Sequence, residues 1–503
     1  MIDTVPWMVG PIVLPLMAAT LTFLLGQRAV PVMALLTVSG ILVTVSGLTW
    51  QVLQHGPQRY AIGGWGAPLG IDLYADGLSV LMLIMSTVVG ASISVYALGY
   101  FSHWPGASSG EKIDRGHEDD FFWPLWLFLW AALHGLFLSA DIFNLYVTLE
   151  LLGLAAVALV NLAGGRAALT AGMRYLLTSL LGSMAYLLGV ALLYTVFGTL
   201  DLAELGARMV SGPVAWVAIA LMTLGLLLKT ALFPLHFWLP PAHANAPAPV
   251  SALLSALVVK ASFYLLLRLW FEVFPAALTP TAAQLLGVLG GAAILWGSLL
   301  ALRQQRLKLL VAYSTVAQIG YLFLLFPLTT EARGGIAAWS GGVYHALSHA
   351  CAKAAMFMVA GSMMRAFGHD RLDGMAGIGQ QLPMSMFAFA LAGVSLMGLP
   401  PSGGFVAKWL LLNAALDSGQ WWWAGVMVAG GLLTAGYVFL VLQHAFVPLP
   451  TNATFLPVPR SMELAPVALA LVALLLGLTA TAPLALLRIG APFPAGLIVE
   501  ATP

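Results

Sequence analysis

The stretch 226-LLLKTALFPLHFWLPP-241 decides the fold, because it places one lysine and three prolines inside an apolar run. Proline within a helix removes a backbone hydrogen bond, and at membrane depth the freed carbonyl must face buried protein or a wet cavity. Lys229 lies beside this break, and an ionisable group inside an apolar span marks a functional site. The stretch therefore predicts a broken membrane helix with a buried lysine.

A second stretch, 398-GLPPSGG-404, repeats this pattern, with Lys408 four residues after Gly404. The two breaks lie five predicted spans apart. Broken helices at corresponding places in two halves of a chain are typical of inverted repeats with a site at the membrane midplane. We therefore expect two inverted repeats of five helices, in which span seven and span twelve are broken. Unwound backbone would let water reach Lys408, which we predict to be the terminal proton carrier.

The composition is that of a polytopic membrane protein. Of the 503 residues, 61% are hydrophobic and 8% are charged, and the mean hydropathy is +0.95. Apolar runs of about 20 residues match the hydrocarbon core of a bilayer. We predict an all-α fold with about fourteen transmembrane helices, at residues 6–26, 30–53, 74–101, 121–139, 141–162, 171–197, 213–235, 247–271, 281–302, 308–328, 336–367, 383–412, 421–446 and 462–486. Residues 199–209 are predicted to form a short amphipathic helix at the interface.

These spans divide the chain into four predicted parts. Residues 1–120 form an N-terminal three-helix segment, 121–271 the first repeat (helices 4–8), 281–446 the second repeat (helices 9–13), and 447–503 the last helix and tail. The first span lacks the basic region of a signal peptide and is expected to be retained. The single cysteine, Cys351, excludes internal disulfides and a protein-ligated iron–sulfur cluster. A net charge of +1 gives no support for nucleic-acid binding.

Lysine and arginine are distributed differently along the chain. Of the twenty basic residues, six are lysines and fourteen are arginines. Four lysines (229, 260, 353 and 408) lie inside apolar spans, as does Glu150, whereas nearly all arginines lie at predicted helix ends or in loops. Arginine stays charged, while a desolvated lysine can release its proton near neutral pH. Lysine in dry positions and arginine in wet ones together predict a protein that moves protons.

Glu150, in 143-FNLYVTLELL-152, is the natural partner of Lys229. A carboxylate beside a lysine can stay ionised at membrane depth and hold that lysine in its charged form. The alternative is a static ion pair that only fixes helix packing. Buried ion pairs are often no better for stability than apolar replacements, so we favour a role in proton transfer.

Lys260, in 258-VVKAS-262, lies about ten residues from either end of its span, too far to reach the interface by snorkelling. We predict that it belongs to the proton pathway. His243, in 242-AHAN-245, is expected in a loop on the cytoplasmic side, where it either takes up protons or has no function. His236, inside the break, is a weaker candidate for proton uptake.

His345, His349 and Lys353 recur at i, i+4 and i+8 and therefore share one helical face. Two histidines four residues apart on one helix cannot supply both axial ligands of one haem. A metal site would require a carboxylate or cysteine at compatible spacing, and Cys351 points elsewhere. We predict neither a cofactor nor a metal here, and instead a relay of histidines and water.

Four polar side chains of the preceding span, in 312-AYSTVAQIG-320, either hold water near this face or serve as packing contacts between helices. They are Tyr313, Ser314, Thr315 and Gln318. The predicted chain of ionisable groups, here called the polar axis, runs through Lys229, Lys260, His349 with His345 and Lys353, and Lys408.

The basic residues outside these positions predict the orientation of the chain. Eleven fall on one face and five on the other, which places the N- and C-termini outside. The predicted cytoplasmic set is Arg28, Lys112, Arg115, Arg166, Arg174, Arg303, Arg306, Lys308, Arg365, Arg371 and Arg460, and the outside set is Arg59, Arg208, Arg268, Arg333 and Arg488.

Several of these segments together resemble the proton-conducting antiporter-like subunits of respiratory complex I, membrane-bound hydrogenases and Mrp-type cation/proton antiporters. The resemblance covers residues 70–445. It rests on 141-DIFNL-145 before Glu150, 234-PLHFWLP-240 after Lys229, 246-APAPVSALL-254 before Lys260, 312-AYSTVAQIGY-321, and 398-GLPPSGGF-405 before Lys408. It implies fourteen helices in inverted five-helix repeats, a Glu150–Lys229 pair, a central Lys260, and Lys408 at the exit half-channel.

The subfamily is less sharply defined. Lys408 disfavours the M-type subunit of complex I, and 198-GTLDLA-203 looks most like the D-type subunit of Mrp antiporters. The face with His345 and His349 is more typical of complex I L-type and hydrogenase subunits. Where the family usually has an acidic residue after Trp-Leu-Pro, this chain has Pro241, so His243 would have to serve without that carboxylate.

The resemblance implies a proton-translocating subunit that works with other membrane subunits in the inner membrane of a bacterium, most simply an Mrp-type Na+/proton antiporter. The alternatives are the proton-pumping subunit of a complex I-like dehydrogenase or hydrogenase, and the membrane subunit of an inorganic-carbon uptake complex. In each case, this chain would carry protons, with Na+ as a candidate second ion, and no electrons.

Overall fold

A computed structural model describes residues 7–67, 70–101, 116–331, 334–448 and 455–493. Lys112, Arg115 and Arg333, which contribute to the predicted orientation, lie outside these residues. Most of the described chain is helical. The helices are α1 (Gly10–Leu25), α2 (Val30–His55), α3 (Gly77–Tyr100), α4 (Gly116–Leu138), α5 (Ile142–Asn161), α6 (Gly165–Phe197), α7 (Leu202–Arg208), α8 (Pro213–Thr230), α9 (Leu239–Asn245), α10 (Ala248–Val273), α11 (Pro280–Leu302), α12 (Leu307–Phe323), α13 (Gly335–Phe367), α14 (Pro383–Met397), α15 (Gly403–Asp417), α16 (Trp421–Leu442), α17 (Arg460–Leu478) and α18 (Thr481–Leu487).

Eleven helices of the described chain are long and apolar enough to cross a membrane, and α1 and α14 are shorter apolar helices. The 33-residue helix α13 is not among the eleven, because its two histidines and its lysine dilute the apolar residues. The protein is thus a mostly helical, polytopic membrane protein. The number of fourteen spans stays a prediction.

A small β-hairpin interrupts the helical fold between α2 and α3. Strand β1 (Gln58–Ala61) pairs antiparallel with β2 (Asp72–Ala75), with Arg59 opposite Tyr74. Arg59 Nε contacts Asp72 Oδ2 at 2.6 Å and its guanidinium also pairs with Asp201, the N-cap of α7. The expectation of an all-α fold is wrong in this segment. The strands have four residues each, too few to show a clear alternation of apolar and polar side chains. The predicted short helix at 199–209 is present as α7.

Helix α10 lies at the centre of the molecule, and the apolar window that would cross a membrane is buried on every side. The neighbouring helices α6 and α8 approach closely at Gly182 and Gly225, where a Cβ on Gly225 would lie 2.3 Å from the Gly182 carbonyl oxygen. Glycine is therefore required here, as is common where membrane helices pack tightly. This close approach brings α8 against α5 and α6 at the level of Lys229.

The first predicted break separates α8 from α9. Ala231 ends α8 in a left-handed conformation with φ of 59°. The Trp238 indole N–H, from the segment between the two helices, donates to the Leu228 carbonyl at 2.9 Å, and its ring stacks on Tyr175 with centroids 4.2 Å apart. The Leu228 carbonyl also accepts from the Ala231 backbone N–H at 3.2 Å, so the buried tryptophan adds a second donor at the interrupted end of the helix.

The second predicted break separates α14 from α15. Gly398 ends α14 with φ of 83°, and Ser402 caps α15 by accepting from the Phe405 backbone N–H at 3.2 Å. Here the freed carbonyl of Leu396 accepts from Lys408 Nζ at 2.6 Å. The helix is therefore interrupted at both predicted positions, and each carbonyl end has a different donor.

Candidate functional site

The Glu150–Lys229 pair joins α5 to α8. Lys229 Nζ lies 3.0 Å from Glu150 Oε1 and 2.9 Å from Ser179 Oγ of α6, and the two charged side chains are 6% and 16% exposed. Lys229 occupies the last turn of α8, where the carbonyl end of the helix stabilises a cation. The structure thus places the predicted partners in direct contact in a largely dry environment.

Hydroxyl groups lead from Lys229 towards α10. A cavity of about 10 Å³ is lined by Lys229, Ser179, Tyr175 and Ser262, a volume that matches one water molecule. Ser262 Oγ lies 2.9 Å from Thr230 Oγ1, so the residue after Lys229 contacts the residue two positions after Lys260. The arrangement gives a short polar route between the helices that carry these two lysines.

Lys260 is fully buried on α10, directly after a π-helical turn at Leu254–Val258. Its Nζ donates to the Ser255 backbone carbonyl, and the Ser255 hydroxyl contacts Thr315 Oγ1 of α12 at 2.9 Å. π-Helical turns are rare and concentrate at functional sites, because they offer extra backbone groups to side chains. Lys260 is therefore held by backbone and hydroxyl groups and has no carboxylate partner in the described chain.

The predicted face of α13 is buried against α12. The His345 and His349 rings are nearly parallel, with centroids 5.7 Å apart. Lys353 donates to the Ser314 hydroxyl and to the Val311 carbonyl at 3.2 Å. His349 lies within electrostatic range of Lys260, Lys353 and Lys408, and neither of its ring nitrogens meets a hydrogen-bond partner in the described chain. A buried imidazole in that condition calls for water.

Tyr321 of α12 connects the histidines to Lys408. Its ring centroid lies 5.5 Å from that of His345, and Lys408 Nζ lies 4.0 Å from the Tyr321 centroid, within cation–π distance. The Tyr321 hydroxyl donates to the Met427 carbonyl at 2.9 Å, which fixes the ring. Sequence reasoning missed Tyr321, because a buried tyrosine in a membrane helix looks like packing.

Lys408 is half-buried and borders a groove of about 300 Å³ that opens on the apolar surface between α15 and α16. The groove is also lined by Leu432, which is 71% exposed. In contrast to Lys229, this lysine has access to the outside of the protein.

The polar residues of α12 separate into two groups. Ser314 contacts Lys353 of α13, and Thr315 contacts Ser255 of α10. Gln318 donates to Thr434 Oγ1 and to the Tyr437 hydroxyl of α16, both at 3.3 Å, and Tyr313 is half-buried against apolar side chains. The structure therefore brings Ser314 and Thr315 into contact with groups of the polar axis, while the Gln318 amide N–H group bonds α16 and its side-chain oxygen is buried without a partner in the described chain.

His243 is not in a loop, which corrects the sequence prediction. It lies on α9, is fully buried, and stacks on Phe357 of α13 with centroids 4.5 Å apart. Lys260, Lys308 and Lys353 all lie within electrostatic range. The prolines that surround α9 concealed this short helix. His236 is half-buried in the break and stacks on Phe233 with centroids 5.5 Å apart.

Comparison with known proteins identifies the family. Residues 139–434 match the family described as NADH:quinone oxidoreductase/Mrp antiporter, transmembrane, and residues 65–109 match the N-terminal part of complex I chain 5. This chain belongs to the NADH:quinone oxidoreductase/Mrp antiporter family.

Relatives in this family come from both branches of its name. The chain is 36% identical over 445 residues to the N-type subunit of an NADH-quinone oxidoreductase of Desulforudis audaxviator, an alignment that covers 87% of this chain and 85% of the relative. It is 29% identical to the D-type subunit of a Na(+)/H(+) antiporter of Alkalihalophilus pseudofirmus, over 87% and 86% of the two chains. A chain in the structure of the Mrp complex from Dietzia sp. shares the fold, with a TM-score of 0.85 at 24% identity over 98% of both chains.

Two buried bases of this antiporter-family chain differ from their predicted placement. Lys308, assigned to the cytoplasmic loops and the adjoining span ends, is buried and donates to the Ala246 carbonyl beside α9. Arg268, expected as an outside base, is buried and binds Asp76 with two contacts of 2.6 Å as well as Glu272. Both lie near helix ends, where the sequence alone suggests exposure. A fully paired arginine of this kind clamps α3 to α10.

Among the described residues, no group of three or more His, Cys, Asp and Glu side chains is placed to hold a metal ion.

Proposed function

We propose that this chain is the proton-translocating subunit of a multi-subunit membrane complex of the Mrp cation/proton antiporter type. The buried contact between Glu150 and Lys229 beside the first helix break is the observation that carries the proposal. An ion pair here leaves the lysine charged while the pair is intact and free to release its proton when the pair opens. The names of the relatives add support, since they include the D-type subunit of a Na(+)/H(+) antiporter.

The proposed path follows the contacts between helices. A proton leaves Lys229 through water and the Thr230–Ser262 hydroxyl pair and reaches Lys260. From there, His349 and His345 pass it on through water, since both lie within electrostatic range of Lys260. Lys408, which lies over the Tyr321 ring, receives it last. In this scheme, Lys353 belongs to the path through its contact with the Ser314 hydroxyl, and a proton arriving at one buried group favours release from its neighbour.

We also propose that the chain contains fourteen spans in two inverted five-helix repeats, residues 121–271 and 281–446. Residues 1–120 would precede them, and 447–503 would follow. The two interrupted helices, each with one lysine beside the break, support this division. Both termini would lie on the outer side of a bacterial inner membrane, which cysteine labelling of terminal residues in intact and inverted vesicles tests.

Removal of either member of the pair tests the function. In inverted membrane vesicles that contain the whole complex, Glu150→Gln and Lys229→Ala should each abolish proton-coupled cation transport, measured with a fluorescent pH indicator after addition of Na+. The matched control is Asp373→Asn with Arg371→Ala, which removes an ion pair of 2.7 Å whose members are both more than half exposed. Near-normal transport by either buried variant, in a correctly assembled complex, contradicts the proposal.

A second candidate function is that of a proton-pumping subunit in a complex I-like dehydrogenase, and the 36% identity to the N-type subunit of an NADH-quinone oxidoreductase favours it. Purification of the complex under mild conditions separates the two. Iron–sulfur proteins among the co-purifying subunits, with proton movement that needs NADH, establish the dehydrogenase. Transport driven by a Na+ gradient alone, with small membrane subunits, establishes the antiporter.

A further inference from the structure

The face opposite the hairpin carries a groove that the polar axis does not use. Its volume is about 390 Å³, and it lies between the first turns of α6 and the end of α9. Arg166, Thr170 and Arg174 line one wall, and Pro241 and Asn245 line the other. The groove is therefore next to the helix that holds His243.

The charge in this groove is uncompensated within the described chain. Both arginines are exposed, no carboxylate lines the groove, and neither guanidinium forms an ion pair with a described residue. They are eight residues apart, so they lie on one side of α6, separated by about 12 Å along its axis. Nor does any side chain cap the N-terminus of α6, whose backbone N–H groups add positive potential. The groove thus suits an anion with several oxygen atoms.

An apolar stripe continues from the arginines along the same side of α6. Leu169, Met173, Leu177 and Leu181 follow at intervals of four residues, and each is more than half exposed. In a membrane helix, such a surface faces acyl chains. An anionic phospholipid fits this arrangement, because its headgroup can contact the basic side chains while its acyl chains lie along the exposed apolar residues. Free phosphate would contact the arginines but not the apolar stripe.

We propose that this groove is a binding site for an anionic phospholipid, with the phosphate held by Arg166 and Arg174 and the acyl chains along Leu169 to Leu181. The bound phosphate cancels the positive potential of the two arginines at the membrane face nearest to Lys308 and His243. This consequence rests on the proposed function, since a positive surface at the uptake side would repel arriving protons. The binding site itself does not depend on it.

Binding is tested on the intact complex by native mass spectrometry after delipidation. Phosphatidylglycerol is titrated into the wild-type complex and into the Arg166→Gln/Arg174→Gln double variant. The contribution of two arginines at an anionic surface predicts a loss of roughly 30-fold in affinity for the double variant. Phosphatidylcholine with the same acyl chains should bind both complexes alike.

The matched control is Arg28→Gln/Arg303→Gln, which removes two exposed arginines that are predicted on the same face and lie outside the groove. It should bind phosphatidylglycerol like the wild type. Equal losses in the two double variants, or no loss in either, overturn the site. Competition by millimolar inorganic phosphate as strong as that by the lipid overturns the lipid as the ligand. If the complex retains no lipid and a cysteine introduced by Arg174→Cys cross-links to a neighbouring subunit, a protein partner occupies the groove and the lipid proposal is wrong.

A transport assay in vesicles tests the consequence separately. Raising the phosphatidylglycerol fraction from none to about a third should stimulate the wild type more than the Arg166→Gln/Arg174→Gln variant. If the wild type binds the lipid but phosphatidylglycerol stimulates transport by the wild type and the double variant equally, the binding site stands and its effect on proton uptake is contradicted. Loss of transport in Lys229→Ala with intact lipid binding distinguishes the site from the proposed function.

Discussion

Lys229 and Lys408 lie beside the two helix breaks, and their surroundings differ in every respect that governs a proton. Lys229 precedes its break, is nearly dry, and is paired with Glu150 at 3.0 Å. Lys408 follows its break, borders an open groove, and is held by the Leu396 carbonyl and the Tyr321 ring. In the first break, Trp238 and the Ala231 backbone N–H donate to the Leu228 carbonyl, and the lysine pairs with a carboxylate. In the second, the lysine is itself the donor.

Because their surroundings differ, we infer that proton release from these two lysines is controlled in different ways. A carboxylate stabilises the charged lysine strongly and releases it only when the two groups separate. A carbonyl dipole and an aromatic ring stabilise the cation more weakly, and water access decides whether the proton leaves. We infer that release of a proton from Lys229 requires separation of its ion pair, whereas release from Lys408 requires no carboxylate to move away.

The largest effect is expected from exchanging the pair. The double variant Glu150→Lys/Lys229→Glu keeps one positive and one negative group in the same place, so a purely structural ion pair would survive. Because the lysine would then lie on α5, away from the break and the Thr230–Ser262 contact, we expect no proton transport above that of vesicles without the complex. Full transport, at normal assembly of the complex, would show that only charge balance matters.

Lys408→Arg sharpens the second half of the comparison. Arginine keeps the charge and can still donate to a carbonyl, but it does not release its proton at physiological pH. We expect transport to fall by about tenfold or more, as in Lys408→Ala, which corresponds to about 1.4 kcal/mol. Arg268→Lys is the complementary control, since that clamp should need geometry and not proton release, and should lose thermal stability with little change in transport per assembled complex. If the Lys408→Arg variant transports normally, Lys408 does not carry protons and α15 has a structural role only.

Tyr321 offers a smaller effect on the same lysine. The hydroxyl donates to the Met427 carbonyl, whereas the ring lies near both Lys408 and His345. Tyr321→Phe keeps the ring and should retain most of the transport rate. Tyr321→Leu loses a cation–π contact of about 1 kcal/mol, so we expect a reduction of roughly fivefold. Equal losses in both variants would assign the role to the hydroxyl.

The smallest effect is expected at Ser262. Ser262→Ala removes one hydroxyl from the small cavity beside Lys229, at a cost of about 1 kcal/mol or roughly a fivefold lower rate at most. Ser298→Ala is the matched control, because Ser298 is equally buried and its hydroxyl has no partner in the described chain. If the two variants transport equally, the route from Lys229 to Lys260 avoids this hydroxyl.

Features that depend on the residues within one short segment could be predicted from the sequence. Both breaks follow from prolines inside apolar runs, and the Glu150–Lys229 contact follows from the cost of burying either charge alone. Contacts that depend on how distant helices meet could not be read. Lys308 and Arg268 lie near helix ends and look exposed in the sequence, yet neighbouring helices cover them. The helix that carries His243 lies in a proline-rich segment that looks like a loop. Tyr321 looks in the sequence like any tyrosine that packs between membrane helices.

The complete enclosure of α10 has a consequence for biogenesis. Ser255, whose carbonyl accepts from Lys260, contacts Thr315, and Lys260 lies within range of His349, but both partners follow α10 in the chain and are synthesised after it. The helix must therefore enter the bilayer with a lysine at its centre, a penalty of about 3 kcal/mol on the insertion scale that its leucines have to outweigh. Until α12 and α13 arrive, that lysine lacks the polar neighbours that those two helices supply. A chain halted before the second half is complete should consequently be a substrate for membrane quality control, and not a smaller working transporter.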